Sequence, residues 1–182
     1  MGNYDYSDKE VYMGIDVHKK TYACVSVSGG YIMKKDTMPA EPSVLIAYIK
    51  NNFSNAKLET VYEAGFSGFN LHRKLSEAGI KNIIVNPGSI EVASRDKVKN
   101  DKRDAKKMAT QLAAGRLQCI YIPILEQEAK RTTTRLRNSI VELRHKVGVK
   151  IKALLFTQGF IKAEDDKVIN KKWLKQKVEE VQ

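Results

Sequence analysis

Val11-Tyr12-Met13-Gly14-Ile15-Asp16-Val17 is a near-continuous apolar run of strand length with one carboxylate near its C-terminal end. Such a run predicts a central strand covered on both faces. An acid in that position is out of place unless it serves a purpose. Outward from this run, Tyr22 to Ser28 alternates with period two, Gly29-Gly30 makes a two-residue turn, and Tyr31 to Thr37 resumes as a strand. The three segments predict an antiparallel meander. Pro39 and Pro42 punctuate the chain, and Ser43 to Asn51 carries Val44, Leu45, Tyr48 and Ile49 at helical spacing. Leu58 to Glu63 reads as a fourth strand, again ending in an acid. The loop Ala64 to Gly68 feeds a helix that runs to Ala78 and is capped by Gly79; Ile80 to Val85 is a fifth strand, ended by Asn86-Pro87-Gly88. A meander followed by strand–helix alternation predicts an α/β fold, a mixed five-stranded sheet flanked by helices.

Residues 88–100 show no clear periodicity and become strongly basic, which suggests a mobile loop. Asn100 or Asp101 then caps a helix that runs to Ala114, with Gly115 as its stop. Asp101 and Asp104 are three residues apart, so they share a helix face, and that face continues through Ala105, Met108, Ala109 and Leu112. The spacing therefore predicts both acids on the inward-packing stripe. After the apolar segment Cys119 to Ile122, closed by Pro123, the chain changes character. Leu136, Ile140, Leu143, Val147, Ile151 and Leu154 recur at steps of four and three, the seam of a long amphipathic or coiled-coil helix from Glu126 to Phe156. Thr132 to Thr134 and Gly148 lower its helix propensity, so fraying or bending is expected there. Gln158-Gly159 breaks it, and Asp165-Asp166 opens a second helix carrying Val168, Ile169, Trp173, Leu174 and Val178, which makes a helical hairpin. The expected division is a domain over residues 1–125 and a helical segment over 126–182.

The formal charge is +11, concentrated in Arg95 to Lys107 and Lys130 to Lys152, which favours a polyanionic partner. Cys24 and Cys119 have no metal-ligand spacing and read as small core residues in a reducing cytoplasm. No apolar stretch has the length of a membrane span, so a soluble, intracellular protein is expected. No P-loop, dinucleotide-binding glycine motif or nucleophile elbow occurs, and Ser67 lacks the glycine frame of such an elbow.

Four acids remain as chemistry. Each has a bland reading: Asp16 bonded to a turn, Glu63 at the surface, Asp101 as an N-cap, Asp104 paired with Arg103 or Lys107. Strands lying parallel would nevertheless bring Asp16 and Glu63 to one sheet edge, where open α/β sheets place their sites. Joined there by Asp101 and Asp104, they would repel without cations. Two divalent ions roughly 3.5–4 Å apart would turn the set into a phosphoryl-transfer site. His18 fits a supporting or acid–base role and equally an exposed loop residue, while His72 and His145 read as structural or solvated. Lys19, Lys20, Arg95 and Lys99 are placed to meet phosphates, or are ordinary surface charges.

Gly14-Ile15-Asp16-Val17-His18-Lys19, Tyr62-Glu63-Ala64-Gly65, Val85-Asn86-Pro87 and Asp101-Lys102-Arg103-Asp104-Ala105, in this order, resemble the DEDD transposases of the IS-110 insertion-sequence family, to which the Piv-type DNA invertases are related. The likeness covers residues 11 to 156. It implies an RNase H-like (RuvC-like) domain in which Asp16, Glu63, Asp101 and Asp104 are catalytic ligands of Mg²⁺ or Mn²⁺, two ions together. It further implies DNA as substrate, a structured guide RNA, and a bacterial or archaeal cytoplasm with no membrane association, while the long seam predicts a homo-oligomer through the coiled coil. Lys19, Lys20, Arg95, Lys97, Lys99, Lys102, Arg103, Lys106, Arg131, Arg135 and Arg144 are the expected nucleic-acid contacts. The chain has Asn100 where the family commonly has Thr before the helix, and it ends at Gln182, ahead of the family's C-terminal domain with its serine nucleophile. An N-terminal portion unable to complete recombination alone is therefore expected. The competing expectations are a stand-alone RuvC-like nuclease or Holliday-junction resolvase and a non-catalytic nucleic-acid-binding module.

Overall fold

The computed structural model describes residues 6–89 and 101–161, together with 172, 173, 175, 176 and 179. The chain divides at Ile122/Pro123 into two units. The first is built on strand β1 (Glu10–Val17), which pairs antiparallel with β2 (Thr21–Ser28) and parallel with β4 (Lys57–Glu63). β3 (Tyr31–Pro39) pairs antiparallel with β2, and β5 (Lys81–Val85) pairs parallel with β4. The sheet order is β3-β2-β1-β4-β5, so β2 alone runs against the others. This is the RNase H-like arrangement with a mixed five-stranded sheet.

Strand alternation sends side chains to two faces. Val11, Met13 and Ile15 of β1 are fully buried in the larger core with Tyr62 and Ile84, under helices α1 (Pro42–Phe53) and α2 (Asn70–Glu77). Leu45, Ile49 and Phe53 of α1 and Leu71 and Leu75 of α2 supply that layer, one stripe from each helix. On the opposite face, α3 (Asp101–Ala113) lays Ala105 and Ala109 against Val25 and Val27, and Met108 and Leu112 against Val61 and Val85. Polar groups on the α2 side are satisfied by one chain of hydrogen bonds. Asn82 Nδ2 donates to Thr60 Oγ1 at 2.8 Å, and Asn82 Oδ1 lies 2.7 Å from His72 Nδ1. Tyr62 hydroxyl accepts from the His72 backbone N–H and donates to the Gly68 carbonyl, both at 3.2 Å. His72 is thus a structural residue, tying α2 to β4 and β5.

The strand and helix expectations hold with small shifts at their ends. Gly29 and Gly30, both at positive φ, form the β2–β3 turn that needs left-handed backbone. β3 continues through Pro39 instead of stopping before it, which an edge strand tolerates at its last residue. The segment after α3 does more than connect. Cys119 forms an antiparallel bridge with Val85, and Ile120 N–H donates to the Ile84 carbonyl at 2.8 Å, so the returning chain touches the outer edge of β5.

The second unit contains α4 (Leu125–Thr157), an unbroken 33-residue helix. The helix runs on through Thr132 to Thr134 and Gly148, against the expected fraying or bending there. Thr134 Oγ1 donates to the Lys130 carbonyl at 2.9 Å, a local bond compatible with helix. None of its residues is buried, and Leu136, Ile140, Leu143, Val147 and Leu154 of the expected seam are exposed. Thr157 is its last residue, and Gln158 caps it before Gly159 at positive φ. The expected second helix from Asp165 falls outside the described residues except for 172, 173, 175, 176 and 179, which are helical. The expected mobile loop likewise lies outside them over 90–100. No described helix is long and apolar enough to cross a membrane.

Candidate metal centre

Gly14 sets the distance between β1 and α3. A Cβ built on it would lie 1.9 Å from the Ala105 carbonyl oxygen and 2.9 Å from the Ala109 nitrogen, so helix backbone rests directly on strand backbone. Only glycine leaves room for that approach. Two residues further along the same face comes Asp16, and one turn back along α3 from Ala105 comes Asp101. The close contact therefore brings the first turn of α3 over the end of β1.

The β1–β2 turn adds a third group. His18 N–H donates to the Thr21 carbonyl at 2.9 Å, closing the turn, and the ring reaches back over the strand end. Its Nε2 lies 3.1 Å from Asp16 Oδ2 and 3.1 Å from Asp101 Oδ2. One donor atom from each of Asp16, His18 and Asp101 falls within 4.8 Å of the others.

Asp16 has 20% of its side chain exposed and Asp101 has 52%. Burial is the main cause holding the Asp16 carboxyl above its ordinary value. The His18 ring opposes this, while the charges of Asp101 and Asp104 raise it further. Asp104 thus belongs to the same electrostatic neighbourhood, half-buried in the first turn of α3. The helix N-terminus favours both acids of that turn.

The expected inward position of both helix acids is corrected for Asp101, which is exposed. The stripe below it is buried, with Ala105, Met108, Ala109 and Leu112 on the sheet, but Asp101 is the first residue of the helix. Glu63 is the half-buried last residue of β4. The β1–β4 register runs to Ile15↔Tyr62, so Asp16 and Glu63 come next on adjacent parallel strands. Alternation gives Glu63 the face of Val61, which packs with α3. It is not one of the three clustered groups. Sequence reasoning left the part played by His18 open. The available signal was its position two residues after Asp16, which keeps both side chains on one face while the backbone stays extended.

Lys19 and Lys20 are exposed in the β1–β2 turn, Lys102, Arg103 and Lys106 are exposed on α3, and Arg131, Arg135 and Arg144 are exposed on α4. Arg95, Lys97 and Lys99 lie outside the described residues.

Comparison with known proteins adds three findings. The family of DEDD transposases of the IS110 type, described as Transposase, matches residues 13–159. The transposase for insertion sequence element IS1533 of Leptospira borgpetersenii is 33% identical over 138 residues, covering 72% of this chain and 39% of that protein. The y4qE protein of Sinorhizobium fredii (strain NBRC 101917 / NGR234) is 33% identical over 159 residues, covering 84% of this chain and 40% of its own length. The chain thus spans about two fifths of the relatives it matches. Among solved structures, T. thermophilus RuvC in complex with a Holliday junction substrate is similar at a TM-score of 0.40 and 12% identity, covering 60% of this chain and 99% of that one. Matched over most of its length, from within β1 to just past the end of α4, this chain belongs to the DEDD transposase family of the IS110 type.

Proposed function

We propose that this chain carries the divalent-metal-dependent DNA-cleaving site of an RNA-guided transposase, with Asp16, Glu63, Asp101 and Asp104 as the acidic ligands of Mg²⁺ or Mn²⁺. The observation that carries the reading is the convergence of Asp16, His18 and Asp101 at the end of β1, within 4.8 Å of one another. The donor set fits such an ion. Carboxylate oxygens suit Mg²⁺ and Mn²⁺, and a cation would favour the charged form of the Asp16 carboxyl, which burial first and the neighbouring acids second disfavour. Held by these four acids, divalent ions would supply activation of a water or hydroxyl and stabilisation of charge on a phosphate.

The protein's own groups do the rest. Asp16 and Asp101 fix one side of the site from two elements locked together through Gly14. Asp104 and Glu63 complete the negative charge from the helix and from the neighbouring strand. Lys19, Lys20, Lys102, Arg103 and Lys106, exposed beside the acids on the β1–β2 turn and α3, draw in the phosphate backbone. The basic face of α4, with Arg131, Arg135 and Arg144, meets DNA or the guide RNA. Its exposed apolar seam joins copies of the chain into a homo-oligomer.

The test is calorimetric titration of the purified chain with Mn²⁺ and Mg²⁺, beside Asp16→Asn and Asp104→Asn, followed by binding to structured RNA and branched DNA with and without metal. Saturable binding lost in both variants supports the reading. Metal binding equal in all three proteins, or none, would reject it.

A further inference from the structure

We propose that His18 is itself a ligand of the divalent ion, coordinating through Nε2 between Asp16 and Asp101. The inference rests on the metal reading of this site. Three observations carry it. First, Nε2 is equidistant from the two carboxylate oxygens, at 3.1 Å from each. Nε2 is hydrogen-bonded to Asp16, and one N–H serves one acceptor well, so the equally close Asp101 oxygen leaves this nitrogen facing a centre that both carboxylates share.

Second, the spacing suits coordination. Two donors at right angles around an octahedral ion, each about 2.1 Å from it, stand about 3.0 Å apart. Third, the ring is held there by the fold. The backbone N–H of His18 is bonded to Thr21, in a turn whose flanking residues Val17 and Tyr22 are paired in the sheet. The imidazole therefore reaches the site from a third element, independent of the strand carrying Glu63 and of the helix carrying Asp101.

An imidazole nitrogen changes which ion the site prefers. All-oxygen sites suit Mg²⁺, whereas a nitrogen donor shifts selectivity toward Mn²⁺ and later transition metals. The chain should accordingly bind Mn²⁺ more tightly than Mg²⁺, and lose most of that preference when His18 is replaced by a side chain without a ring nitrogen.

The experiment is pulsed electron paramagnetic resonance on the chain loaded with Mn²⁺, with affinities measured in parallel by titration. Wild-type protein is expected to show ¹⁴N modulation, changed to the ¹⁵N pattern when the histidines are labelled with ¹⁵N. His18→Gln should lose the modulation and bind Mn²⁺ about tenfold or more weakly, since even residues that merely orient ligands cost 10–100-fold in affinity. Mn²⁺ bound in an Asp16-dependent manner without nitrogen modulation in the wild type would overturn the inference and leave the metal reading standing. Modulation that persists in His18→Gln would also overturn it, by assigning the nitrogen elsewhere. Absence of any Asp16-dependent Mn²⁺ binding removes the metal reading and this inference with it. The wild-type spectrum decides the first case even if His18→Gln fails to fold, and His18→Asn then serves for the second.

Discussion

Replacing Gly14 by alanine tests the contact on which the whole site is hung. The added Cβ would sit 1.9 Å from the Ala105 carbonyl oxygen, where side-chain carbons essentially never approach below 3.0 Å, so β1 and α3 must separate by at least about 1.1 Å. Both partners are backbone, so no side chain can rotate away. Forcing extra volume into a packed contact costs about 1–3 kcal/mol, and the lack of a flexible partner puts Gly14→Ala in the upper half of that range. In a chain of this size, about 2–3 kcal/mol lowers the thermal midpoint by roughly 4–12 °C. The retreat also carries Asp101 and Asp104 away from Asp16, by more than the ~0.5 Å within which ligand sets must be held. Mn²⁺ affinity should therefore fall along with stability. Thermal unfolding followed by circular dichroism and Mn²⁺ titration measure the two effects. A midpoint unchanged within about 1 °C and unaltered Mn²⁺ affinity would show that α3 does not rest on β1 as described.

In metal-free protein, Asp16→Asn should be more stable than wild type at neutral pH, because burial penalises the charged carboxylate. The sign follows from linkage: the folded-state value is raised, so the advantage of the neutral acid is fully present below the ordinary 3.8 and is lost as pH rises through the raised value. The gap between the two proteins should thus close on acidification, and saturating Mn²⁺ should reverse their order at neutral pH, with about 2.7 kcal/mol gained by the wild type at a hundredfold excess over Kd; urea titrations across pH measure both, and a gap independent of pH and metal refutes it. Asn82→Ala leaves Thr60 and His72 short of partners and should cost about 1–3 kcal/mol in urea unfolding, whereas an unchanged midpoint would remove the network from the fold's support. Cys24 is buried and its thiol is pushed up to about 12, while Cys119 is exposed. A thiol reagent should therefore titrate Cys119 alone in native protein and both cysteines in denaturant, and rapid native labelling of Cys24 would contradict the packing of β2. Leu143→Glu should shift sedimentation of the chain toward monomer if α4 joins copies through its seam, and a wild type monomeric at every concentration would count against that association.

Much of the first unit was legible because its strands are read by period. The doubly apolar run through Val11 to Val17 marked the central strand, and the acids near the ends of two strands would meet only if β1 and β4 were neighbours, as the pairing makes them. The buried stripe of α3 followed from spacing alone, since Ala105, Met108, Ala109 and Leu112 obey the helical repeat. What periodicity misses is where an element begins relative to its support. Asp101 lies on the predicted stripe yet is exposed, as the first residue of α3. The His18 ring could not be assigned from its residue type, since its position depends on how a short turn closes onto Thr21. Gly14 carried no local signal either. Its demand for an absent side chain comes from a helix some 90 residues further along the chain.

The bridge between Cys119 and Val85 affects the chain's behaviour in company. A parallel sheet with a bare border strand is a template for pairing with another molecule. The Val85 end of β5 is shielded by the chain's own return past Ile84, and the opposite border, β3, carries Lys34 and Lys35 and closes on Pro39. Neither border offers a long apolar ladder, so sheet-to-sheet aggregation is discouraged at both sides of the domain. Copies of this chain brought close together can remain separately folded, with any contact between them left to surfaces outside the sheet.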